Sequence, residues 1–110
     1  MQAGYIADRT LGYVKVAAAG IDAATLISTL TFGSSAVAGI PPGTHTLLIS
    51  PELQIVRWRD DGVAVTTAAG YPIAVGGELR YTGQNLSKLQ VISATAGAAL
   101  NIVALGSGAP

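Results

Sequence analysis

The chain has 110 residues, enough for one domain that folds without a staple, and it contains no cysteine, which excludes disulfides, thiolate metal sites and thiol nucleophiles. Six basic and six acidic residues cancel, and only 11% of the chain is charged, against about 25% for ordinary soluble domains. No basic stripe exists to neutralise phosphates, so nucleic acid is not expected as a partner. Mean hydropathy is +0.51, yet charges such as Lys15, Asp22, Arg57, Glu78 and Lys88 interrupt every run short of the roughly 20 apolar residues a spanning helix needs. No membrane segment or secretory signal is expected. A small domain this apolar is expected to cover part of its surface with another protein.

Residues 1–24 have weak periodicity. Tyr13 to Ala17 alternates as a strand does, and the segment reads as an arm or an edge segment, with Tyr5, Arg9 and Tyr13 as possible arm contacts. Over 22–32, Asp22 could cap a short helix, but the β-branched Thr25, Ile27, Thr29 and Thr31 favour a strand. Gly33 to Gly39 is loop, and Pro41-Pro42-Gly43 sets a tight turn. Thr44 to Ser50 is a strand with Leu47 and Ile49 on one face and Thr46 and Leu48 on the other; Pro51, which cannot donate to a ladder, is expected to break it.

Leu53 to Gly62 is the stretch around which the chain is organised. Val56 and Trp58 fall on one face of a strand, Arg57 and Arg59 on the other, and Asp60-Asp61-Gly62 turns the chain, with Gly62 at positive φ. Val63 to Thr67 reads as a short strand. Tyr71 to Val75 and Glu78 to Thr82, joined by Gly76-Gly77, carry a hairpin signal. Gly83-Gln84-Asn85 turns again, Leu86 to Thr95 alternates, and Leu100 to Leu105 closes the domain before a tail. The sum is an all-β single domain, a β-sandwich or jelly-roll-like barrel of six to eight short strands, with an arm or edge at 1–24, the sandwich at 25–106 and a tail at 107–110.

Candidate chemistry is sparse. His45, the only histidine, is flanked by threonines with no nucleophile and carboxylate in a triad spacing. Asp60 and Asp61, adjacent on an extended chain, point to opposite faces, which suits a turn and pairing with Arg57 or Arg59 better than a paired acid and base. Trp58, Tyr71 and Tyr81, with Val56, are expected in the core or a subunit interface, with a sugar-stacking platform as the alternative. No enzyme activity and no cofactor are expected.

Ile40-Pro41-Pro42-Gly43-Thr44, Val56 to Gly62, Gly70-Tyr71-Pro72-Ile73 with Gly76-Gly77, Tyr81-Thr82-Gly83 and Leu100-Asn101-Ile102 together resemble the turn and spacing pattern of small tailed-bacteriophage virion proteins. The match covers residues 40 to 105. It implies a compact β-fold that acts by binding coat protein, and the expectation is a capsid cement, or decoration, protein that stabilises the head. Its partner would be the major capsid protein, and its place the virion surface after assembly in the host cytoplasm. A tail or fibre component, or a carbohydrate- or receptor-binding module, is the alternative. Strands apolar on both faces suggest a homo-oligomer, and three-fold lattice positions favour a trimer.

Overall fold

The computed structural model describes residues 8–33, 37–83 and 85–107. Its architecture follows from two nine-residue strands, β3 (Thr44–Glu52) and β8 (Ala99–Ser107), which pair antiparallel at the centre of one sheet. Alternation sends Leu47 and Ile49 of β3, and Leu100, Ile102 and Ala104 of β8, to one face, where all five are fully buried. β1 (Asp8–Val16) and β6 (Leu79–Thr82) flank them, giving the order β1-β8-β3-β6.

The second sheet is built from shorter pieces: β2 (Thr25–Leu26), β4 (Val56–Arg59), β5 (Tyr71–Ile73) and β7 (Gln90–Ser93), in the order β2-β7-β4-β5. Its inward residues Val56, Ile73 and Val91 join Leu89, Ile21 and Ile27 against the first sheet. Each such side chain contributes about 1.5–3 kcal/mol on burial, and these contacts hold the layers together. All pairings between named strands are antiparallel and the two sheets stay separate, so the fold is an open β-sandwich, not a closed barrel.

Several local expectations are corrected. Pro51 does not end its strand; it pairs with Leu100. Its carbonyl accepts from the Gly76 amide at 3.1 Å, so residue 51 turns its nitrogen away from β8, beyond the end of β6, where no ladder donor is required. The 22–32 segment is neither one helix nor one strand: two strand residues lead into a 3-10 turn at Ile27–Thr29, and Ile27 is buried while its amide donates to the Leu89 carbonyl. A second 3-10 turn, Leu86–Lys88, replaces the start of the strand expected from Leu86.

Gly76-Gly77 does not close a hairpin. The preceding β5 and following β6 lie in different sheets, and the turn carries the chain from one layer to the other. Gly76 has a φ of +79°, and Gly77 donates to the Ala74 carbonyl at 2.9 Å. The opposite crossing, from β3 to β4, is tighter still. Gln54 donates to the Glu52 carbonyl at 2.9 Å around Leu53, whose φ is +76°, the geometry of a strained γ-turn.

Val63 to Thr67 is no strand either. It belongs to a loop folded over the outer face of the second sheet, with Val65 buried and its amide facing Gln90 Oε1 at 3.4 Å. On the first sheet the outward side chains of the two central strands are half-buried. Leu48 and Val103, directly opposite one another, point away from the core, as does Leu105.

The N-terminal segment enters the sandwich as β1, an edge strand whose partner is β8. A bulge near Leu11 and an outward bond from the Gly33 amide to the Tyr13 carbonyl at 2.7 Å blunt its open edge. Tyr5 and residues 108–110 lie outside the described residues, while Ser107 belongs to β8.

Candidate functional site

Chemistry-bearing side chains gather where β4 ends. Val56 faces the core and Trp58 follows it on the same strand face, half-buried at the rim. The β4–β5 register sets Trp58 opposite Tyr71, and their rings lie 5.2 Å apart, tilted by 37°. On its other side Trp58 meets Tyr81 of β6 edge-on, with centroids 5.8 Å apart. Tyr81 is buried, whereas Tyr71 leaves 66% of its surface exposed because β5 is the sheet edge.

The two aspartates after β4 take different partners. Asp60 accepts a 2.6 Å hydrogen bond from the Tyr81 hydroxyl, which ties the two sheets together. Burial first, and this bond second, push the Tyr81 phenol up to about 12. Asp61 accepts from Arg59 Nε at 3.1 Å and Nη2 at 2.5 Å, and from the Val63 amide at 3.2 Å. The Arg59 bonds, then the Val63 amide, hold the Asp61 carboxyl below its ordinary range. Gly62 has a φ of +82°, so this stretch turns as its sequence requires.

Arg57 takes neither aspartate. Its Nε donates to the Thr67 carbonyl at 3.1 Å and Nη1 to the Gly70 carbonyl at 3.0 Å, pinning the loop that leads into β5. Gly70, at φ +148°, packs so closely that a Cβ there would come within 2.7 Å of Val65 Cγ2. Arg59, Asp60, Asp61, Gly70 and Tyr71 line a surface hollow of about 350 Å³.

His45 sits elsewhere, beside the β3 bulge, where its Nδ1 lies 2.8 Å from Thr46 Oγ1 and that hydroxyl lies 2.8 Å from Thr82 Oγ1. Among the described residues no three metal-ligating side chains converge. On the outer face of the first sheet, the exposed Tyr13 donates to Asn101 Oδ1 at 2.5 Å, and Asn101 donates to Glu52. Lys15 approaches the same carboxylate at 3.6 Å. The Asn101 bond first, then the Lys15 charge, lower the Glu52 carboxyl. Arg9 is an exposed residue of the same edge strand.

No known protein family, curated protein or solved structure matches this chain. Its own geometry therefore carries the functional reading. Two features stand out: the ring cluster with its hollow at the end of β4, and the outward apolar row Tyr13, Val103 and Leu48 across three strands of the first sheet. Sequence reasoning found the aromatic residues and the turn. It missed the Asp60–Tyr81 bond and the Arg57 clamp, because partners 21 and 13 residues apart leave no local signal.

Proposed function

We propose that this chain is a capsid cement protein of a tailed bacteriophage, docking on the major capsid protein through the outer face of its first sheet. One observation carries the reading. The loop between β4 and β5 packs over the second sheet, whereas Leu48, Val103 and Tyr13 form an outward apolar row on the first, with Tyr13 exposed and Leu48 and Val103 half-buried outside the core. A monomeric domain seldom leaves such a row across a sheet, and one that strengthens a shell needs a flat apolar contact of this kind.

Two further features support it. Leu53 is 63% exposed at a strained backbone position, with Ile55 and Val75 also exposed at the same end of the sandwich, so the protein holds apolar side chains outward at an energetic cost. The resemblance of residues 40–105 to small virion proteins points the same way. Repetition around a shell would multiply a modest contact into a large stabilisation. In this reading the protein is a homotrimer at three-fold lattice positions, on the virion surface, after assembly in the host cytoplasm.

The test is cosedimentation of the purified protein with empty heads of the phage that encodes it, beside the Val103→Lys and Leu48→Lys variants. Binding is expected for the parent and loss of binding for both variants, which should keep the parent's thermal stability because their side chains face outward. Native mass spectrometry of the free protein checks the trimer. A folded protein that ignores the heads, or variants that bind as well as the parent, would overturn the docking face.

A further inference from the structure

We infer that the hollow beside Tyr71 is a binding site for a neutral saccharide. This site is independent of the proposed docking face, because it lies at the end of β4 in the second sheet and uses none of the residues of the apolar row.

Tyr71 is the most exposed aromatic side chain among the described residues, yet it is not loose. Trp58 supports it at 5.2 Å, Tyr81 supports Trp58 at 5.8 Å, and the Tyr81 hydroxyl is anchored on Asp60. Pro72 follows Tyr71 and fixes the backbone there. An exposed ring on so rigid a stack offers an apolar face whose ordering cost is already met, which is what a weakly apolar ligand needs.

The walls of the hollow are mixed in charge. Arg59 faces a cation with repulsion, and Asp60 and Asp61 do the same to an anion. A neutral ligand with many hydroxyls suffers neither, and it can donate to a carboxylate while accepting from the neighbouring guanidinium. The bidentate Arg59–Asp61 pair presents both kinds of group side by side in one plane. A pyranose has this composition: C–H bonds on one face for the Tyr71 ring and hydroxyls around the rim for the pair. The hollow, about 350 Å³, lies within the range of roughly 300–1,000 Å³ usual for small-molecule sites.

Arg57 holds the Thr67 and Gly70 carbonyls, and Gly70 admits no side chain, so the wall below Tyr71 is set before any ligand arrives.

The experiment is a titration of isotope-labelled protein, followed by amide chemical shifts, with methyl α-glucopyranoside, methyl α-galactopyranoside and N-acetylglucosamine, each to tens of millimolar. Saturable shifts at Asp61, Gly70 and Tyr71 are expected for at least one of them. Tyr71→Ala should weaken that binding about tenfold, while Tyr71→Phe, which keeps the ring, and Tyr13→Ala, at the other sheet, should not. Dispersion of each variant's spectrum reports that it is folded. Shifts that saturate for none of the three sugars, or that survive Tyr71→Ala, would overturn the site. So would tetramethylammonium chloride shifting the same amides where the sugars do not, since the hollow would then select a cation on the ring face. Head binding is read in a separate assay, so failure of one proposal leaves the other standing.

Discussion

The Tyr81 hydroxyl reaches across the sandwich from one sheet to Asp60 at the end of β4 in the other, at 2.6 Å. It is a polar bond at the margin of an apolar core, and it fixes the position of the turn that carries Arg59 and Asp61. Removing the hydroxyl in Tyr81→Phe should cost about 1–2 kcal/mol at neutral pH, measured by urea unfolding.

The same bond has a pH signature. The Tyr81 phenol is pushed up to about 12 in the fold, above its ordinary value near 10 in an unfolded chain. The unfolded state therefore loses its proton first, and stability falls as pH rises from about 10 to about 12. The contribution is complete below that window. A Tyr81→Phe variant should lack it, so the stability gap between parent and variant should narrow across this range; a gap that stays constant would exclude the assignment.

Trp58 is half-buried and touches both tyrosines, so it anchors the rim and not the centre of the core. Trp58→Ala should cost about 2–4 kcal/mol, whereas Tyr71→Ala, at the exposed edge, should cost less than about 1 kcal/mol. Urea midpoints of the two variants decide this order.

Gly62 and Gly70 both have positive φ but differ in their surroundings. Gly62, at +82°, has nothing within 4 Å of a built Cβ, and Gly62→Ala should cost only about 1 kcal/mol from the backbone. At Gly70 the Cβ would meet Val65, Arg57 and the Trp58 carbonyl, the last at 3.2 Å. Gly70→Ala should therefore cost about 2–4 kcal/mol and displace the 63–70 loop, visible as loss of Val65 protection in hydrogen exchange.

Among the described residues the buried hydroxyl of Ser93, on the inward face of β7 opposite Val56, has no hydrogen-bond partner. Ser93→Ala removes that unsatisfied group without opening a large cavity. The variant should be as stable as the parent, or more stable by up to about 1 kcal/mol, in thermal and urea unfolding.

The sequence by itself determined the all-β class and the shared face of Leu47 and Ile49 on β3, and left a sandwich and a barrel both open until the two sheets were seen to stay separate. Leu47 and Ile49 at spacing two share one face on a strand and not on a helix, and Gly62 in Asp61-Gly62 takes the positive φ that its lack of a Cβ permits. These are local consequences of side-chain period and backbone sterics. What only the tertiary structure decided depends on partners far apart in the chain. Gly76-Gly77 is chemically a good hairpin turn, but which sheet each flanking strand joins is set by packing, and it sent β5 and β6 to opposite layers. Pro51 stayed in its strand because β6 stops short of it, a fact of register that no local propensity contains. Val65 was drawn from a strand-like run into a loop by Gln90 and by burial over the second sheet. Tyr71, Trp58 and Tyr81 share one aromatic composition, but the edge position of β5 alone leaves the first of them facing water. Exposure is a property of where a strand lies in its sheet, and that is settled only when every strand has found its neighbours.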